Sequence, residues 1–169
     1  MDAAARREQI RRTLSQASVP VSAASLARSL GVSRQVIVGD VALLRAGGVR
    51  ISATPRGYLL GPEERGILRT VACRHTAGEM EAELTAVVDN GCTVLDVIVE
   101  HPVYGQLTGA LRLSSRYDVR QFIARCGESA APPLSLLTEG IHLHTLSCPS
   151  DEACRRVCEA LRELNILLE

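Results

Sequence analysis

The chain has 169 residues, 46% of them hydrophobic but only 2% aromatic, so its core must be built from Leu, Val, Ile and Ala. No apolar run reaches the about 18 residues of a membrane span, and the opening MDAAARREQIRR has no apolar signal-peptide core; a cytoplasmic protein with no membrane segment is expected. The zero net charge hides an asymmetry: residues 1–60 hold nine arginines against Asp2, Glu8 and Asp40, whereas residues 61–169 hold ten arginines and sixteen carboxylates.

A basic first third joined to an acidic remainder predicts two modules, the first suited to an anionic polymer. AARREQIRRTLSQAS places Ile10 and Leu14 four apart among arginines, an amphipathic helix with a basic face. Ser22 is placed to cap a second helix carrying Leu26, Ala27 and Leu30, which Gly31 ends. Ser33 is placed to cap a third, with Val36, Ile37, Val41 and Leu44 as its apolar face and Gly47-Gly48 closing it. VRISATPRGYLL reads as a hairpin with Arg56-Gly57 near its tip. Three helices, two of them joined by a glycine turn, plus a hairpin make a winged helix-turn-helix over residues 5–60. In that geometry the start of the third helix enters the major groove. Ser33, Arg34 and Gln35 sit there, Arg suiting guanine edges and Gln adenine edges. Arg50 and Arg56 in the wing are placed for phosphates or a minor groove. Gly39, inside the third helix, costs about 1 kcal/mol relative to Ala; it marks either a close approach to a neighbouring helix or DNA, or drift.

After a junction at GPEER (61–65), residues 66–169 read as a second domain. GILRTVACR is a strand, and Thr76 to Glu79 fits a capping box. It opens a helix with Met80, Leu84, Val87 and Val88 on one face. CTVLDVIVE and QLTGALRL are strands around the turn HPVYG. Ser115 caps a helix through Cys126 with Val119, Phe122 and Ile123 inward, and GESAAPP is a loop. GIHLHTLS is a strand; Ser150 caps a last helix with Ala153, Cys154, Val157, Leu161 and Leu164 inward; NILLE is read as a final short strand. The expected fold is α+β: a winged helix followed by an α/β sandwich with a largely antiparallel sheet and helices on one face.

Of the six cysteines (Cys73, Cys92, Cys126, Cys148, Cys154 and Cys158) no two form a CxxC, and without a secretion signal disulfides are not expected. Cys154 and Cys158 read as buried small hydrophobes. All four histidines lie in the second module: His75, His101, His142 and His144. Alternate strand residues share a face, so His142 and His144 point the same way. HxH alone leaves three readings open: a metal claw, a catalytic dyad, or a polar pair on a wet sheet face. If its strand pairs beside the first, His75 comes near, and Glu83 reaches in from the helix. Three imidazoles and a carboxylate suit nickel, zinc or iron(II). Glu79 and Glu81 read as cap and solvent face, Asp96 as a structural carboxylate, and Arg112 and Arg116 as partners in surface ion pairs.

LARSLGVSRQVIVGDVALLRAGG, HTAGEMEAELTAVVDNGCTVLDVIVEHPVYGQL and LTEGIHLHTL together resemble the niacin-responsive transcriptional repressors, which join a winged helix to a three-histidine (3H) domain. The resemblance spans nearly the whole chain. It implies a dimeric repressor of NAD-biosynthesis or niacin-transport genes, acting on a palindromic operator with nicotinic acid or a related pyridine as co-repressor. It implies a nickel-type divalent metal on His75, Glu83, His142 and His144. His101, the domain's remaining histidine, is placed with Tyr104 near the ligand. Gly39 and the absence of lysine are departures. Two other outputs stand beside this reading: a nickel or zinc sensor in which the metal itself is the signal, and a metallohydrolase fused to a winged helix. The latter lacks HExxH or a nucleophile motif, and no enzyme is expected.

Overall fold

A computed structural model describes residues 2–61 and 66–169. The chain divides into two compact units, Met1–Glu63 and Glu64–Glu169. Most of the junction GPEER lies outside the described residues. No helix among those described is long and apolar enough to cross a membrane.

The first unit is three helices and a hairpin: α1 (Ala3–Gln16), α2 (Ala23–Leu30), α3 (Arg34–Ala46), β1 (Ile51–Thr54) and β2 (Gly57–Leu60), the two strands antiparallel. The caps are side chains accepting backbone N–H groups that the first helical turn leaves unpaired. Ser22 accepts from the amide of Ser25 and Ser33 from that of Val36. Gly31, between α2 and α3, has φ +66°, the left-handed conformation that makes the turn tight. Ile10, Leu14, Leu26, Ile37, Val41 and Ile51 form the core.

The inward stripe of α3 departs from the expected one. It runs Ile37, Asp40, Val41 and Leu44, so Val36, about 100° around the helix from Ile37, faces outward. The buried Asp40 is satisfied by α1: its carboxylate accepts from Arg6 Nε at 2.5 Å and lies 3.6 Å from Arg7 Nη1. Two arginines expected on a basic face thus tie α1 to α3.

The second unit holds β3 (Ile67–Arg74), a 3-10 turn (Ala77–Glu79), α4 (Met80–Asp89), β4 (Thr93–His101), β5 (Gly105–Leu113), α5 (Arg116–Glu128), a second 3-10 turn (Leu134–Thr138), β6 (Ile141–Cys148) and α6 (Asp151–Glu163). The sheet order is β3-β6-β4-β5, every pair antiparallel. The last strand therefore enters between the first and second. Leu84 and Val87 of α4, Val119 of α5 and Val157 and Leu161 of α6 share one core with Val71, Val94, Leu113 and Leu146 of the sheet. The α+β architecture with an antiparallel sheet is as expected.

Two details differ. α5 runs to Glu128, two residues beyond Cys126. NILLE is not a strand but a single bridge, Leu167 to Cys73. α6 stops at Glu163, and Asn165 turns the chain at φ +57°. Ile166 is thereby buried in the place expected for Leu164, which is 40% exposed. The Arg74 amide donates to the Ile166 carbonyl at 2.8 Å and the Leu168 amide to that of Ala72 at 2.9 Å, covering part of the outer edge of β3.

Candidate metal centre

β3 and β6 pair with Val71 opposite His144 and Cys73 opposite His142. Directly opposed residues share a face, and this is the face the helices cover. His142 and His144 are therefore buried, which removes the wet-face reading. His75 lies just past the end of β3, and the Thr76 capping box turns the chain into α4. Glu79 performs the expected cap, its carboxylate accepting from the Thr76 amide and hydroxyl. Glu83, eight residues after His75, then points from the first turn of α4 onto the sheet.

The four side chains meet. His75 Nε2 lies 2.6 Å from Glu83 Oε2, His142 Nε2 3.0 Å from Oε1, and His144 Nε2 3.3 Å from Oε2. All four side chains are at most 4% exposed. On the opposite edge of each ring, Nδ1–H donates to a backbone carbonyl: His75 to Thr76 at 2.7 Å, His142 to Gly140 at 2.8 Å, His144 to Asp96 at 2.6 Å.

That anchoring fixes the chemistry. With Nδ1 protonated, each neutral imidazole turns an Nε2 lone pair toward a carboxylate that also only accepts. Four acceptors facing one another need a positive charge between them, supplied by protons or by a metal. Burial opposes ionisation of Glu83, yet the three imidazoles against it, His142, His144 and His75, override burial and hold the carboxyl far below the usual range. Burial likewise disfavours charge on His75 and His144, but Glu83 outweighs it and raises both. Even so, His144 Nε2 is buried without a hydrogen-bond partner. Backbone-anchored Nδ1 with Nε2 directed inward is how proteins present histidine to a metal, and the residue set fits a borderline divalent ion.

His101 is not drawn into this cluster. It ends β4, and its Nδ1 accepts from the amides of Val103 and Tyr104 at 3.1 and 3.2 Å, within its own turn. Tyr104 packs against it, ring centroids 5.0 Å apart, and is 74% exposed. A cavity of about 430 Å³ is lined by Ile98, Val99, Glu100, Gln106, Thr138, His142 and Leu143 among others; Leu143 alternates with His142 and His144 on β6 and so turns to the other face of the sheet, and neither His101 nor Tyr104 is among the lining residues. In the first unit Arg34 and Gln35 are exposed at the start of α3, Arg50 is exposed, and Arg56 is half-buried at the hairpin tip. Ser33 is engaged as the cap.

Residues 68–169 match the 3H domain family and residues 6–59 a helix-turn-helix family. The chain is 44% identical over 164 residues to a probable transcription repressor, NiaR, of Thermotoga maritima, covering 97% of this chain and 94% of that protein. It is 41% identical over 168 residues to the transcription repressor NadR of Bacillus subtilis, covering 97% and 93%. The chain belongs to the 3H-domain transcription repressors.

For a 3H-domain repressor, two residues of this site were not singled out in the sequence. Gly140 supplies the carbonyl that holds His142. Cys73, wholly buried, has its sulfur within 4.8 Å of ligand atoms of Glu83 and His142, which in turn lie within that distance of each other. The signal was present in ACRHT: Cys73 and His75, two apart on a strand, share a face. Asp96 is the structural carboxylate expected, with Oδ1 accepting the Thr145 amide at 2.9 Å, and it also positions His144 through its carbonyl. Arg116 forms the expected surface ion pair, with Asp89.

Proposed function

We propose that this repressor controls NAD-biosynthesis or niacin-transport genes as a homodimer on a palindromic operator. Nicotinic acid or a related pyridine is the co-repressor, bound beside a divalent metal (nickel, or zinc or iron) that His75, Glu83, His142 and His144 would hold. One observation carries the metal: three imidazoles locked by carbonyls at Nδ1, their Nε2 atoms converging on Glu83, and one of these without a hydrogen-bond partner. When bound, the ion supplies a Lewis-acidic centre for a carboxylate or a pyridine nitrogen. The remaining work belongs to the chain. Glu83 offsets the ion's charge, and the Thr76, Gly140 and Asp96 carbonyls orient the rings.

Regulation requires the ligand to favour the dimer arrangement that sets two α3 helices in successive major grooves. Anisotropy on a palindromic operator tests this: nicotinic acid should tighten binding, and equal affinity with and without it removes the co-repressor. A second reading, in which the metal alone is the signal, draws on the near-complete burial of the four side chains. It predicts full operator affinity with nickel or zinc and no organic ligand.

A further inference from the structure

We propose that Cys73 is an inner ligand of this metal centre, coordinating as a thiolate. The inference rests on the metal reading above and adds a donor to it. Cys73 reaches the site by register: it lies opposite His142 in the β3–β6 pair and two residues before His75. Its Sγ, a Glu83 oxygen and a ring nitrogen of His142 all lie within 4.8 Å of one another. Three donors on one ion, with bonds of about 2.0–2.3 Å, lie about 3.3–4 Å from one another, so a contraction of the triplet brings it onto a common centre. The buried Nε2 of His144, which has no hydrogen-bond partner but lies 3.3 Å from Glu83 Oε2, faces the same carboxylate.

Cys73 shares its apolar core with Cys92, Cys148 and Cys154, and Cys126 and Cys158 pack against it; its nearness to Glu83 and His142 is what separates it from them. Among the described residues, Cys73 is the one cysteine in a group of cysteine, histidine and acidic side chains whose ligand atoms all lie within 4.8 Å of one another, with Glu83 and His142. Charge supplies the reason for a thiolate. Before any co-repressor binds, a divalent ion with Glu83 alone leaves one net positive charge among side chains that are at most 4% exposed, which is costly. A thiolate beside Glu83 makes the site neutral. Coordination expels the thiol proton to solvent. The ligand set then becomes softer, favouring zinc, nickel or cobalt over manganese or magnesium.

Cobalt(II) is the probe. The metal-free full-length chain is titrated with cobalt, reading bound metal and near-ultraviolet absorption together. Wild type should bind one equivalent and develop a thiolate-to-cobalt charge-transfer band; Cys73→Ser should lose the band. A band that persists in Cys73→Ser assigns it to another cysteine and overturns the proposal. One equivalent of cobalt without the band in wild type also overturns it, leaving the histidine-glutamate site standing. No cobalt, nickel or zinc bound overturns both. X-ray absorption of zinc-loaded wild type decides the question even where the variant does not fold. A sulfur neighbour at about 2.3 Å supports Cys73 ligation, and a shell of only nitrogen and oxygen refutes it.

Discussion

Gly140 and His75 are packed backbone against backbone. The Gly140 carbonyl accepts the His75 amide at 3.4 Å while also accepting Nδ1–H of His142 at 2.8 Å, so one glycine holds two of the three imidazoles. Its φ is +88°, and a Cβ there would collide with the His75 carbonyl oxygen. Gly140→Ala should therefore cost about 1–3 kcal/mol from the backbone alone and displace His75. Bound metal should fall well below one equivalent although no donor is altered. Denaturant unfolding and metal analysis check both, and full metal content with an unchanged midpoint would contradict this account.

Glu83 is the one group at the centre of the cluster that only accepts. Glu83→Gln keeps its shape but gives it two N–H donors, which neutral Nε2 atoms can accept. The metal-free variant should be about as stable as wild type, yet hold no stoichiometric metal. Glu83→Ala should lose the metal as well, and should destabilise the metal-free fold. The loss should stay below the about 3–5 kcal/mol of a broken buried ion pair, because the imidazoles can shed their protons. Stoichiometric nickel or zinc in either variant would move the site elsewhere.

Much of this centre was legible because strand and helix periods are local. HxH fixed a shared face, and the Thr76 capping box fixed where Glu83's helix begins. Strand order was not local: His75 joins the pair only because β6 inserts beside β3, a long-range pairing that no window of sequence contains. Cys73 was hidden for the same reason, since its proximity comes from register with His142. Asp40 has no place in the apolar stripe read from the sequence because its partner, Arg6, comes from another helix. Leu164 was misplaced by continuing a helical period past the turn at Asn165.

His101 is bound into its own turn, with Nδ1 accepting two amides. A turn role predicts that His101→Asn, whose side-chain oxygen can accept the same amides, keeps stability and metal content. His101→Ala should lose about 0.5–1.5 kcal/mol while still holding one metal. Loss of metal in both variants would instead place His101 at the centre.

At the start of α3, Arg34 and Gln35 are exposed, and neither forms an ion pair with another of the described residues. Replacing either by Ala should leave stability unchanged, weaken operator binding by about 1–3 kcal/mol and relax preference at one base. Arg50→Ala should instead weaken binding to all sequences alike and reduce the salt slope by about one. Anisotropy across a salt series on operator and scrambled duplexes separates the two classes. Equal losses on both duplexes for Arg34→Ala would remove it from base reading.

Gly39 is the sharpest test of how α3 meets DNA. A Cβ added there meets nothing within 4 Å, so no neighbouring helix in the chain requires a glycine. In a helix interior that substitution should stabilise the fold by about 0.5–1 kcal/mol. Gly39 also lies one turn beyond Gln35 and so shares its exposed face. A duplex approached by Gln35 is approached by Gly39, and a methyl group there enters the contact. Gly39→Ala should therefore raise the unfolding midpoint and lower operator affinity together. Greater stability with unchanged affinity would mean that the groove is read only by the first turn of α3.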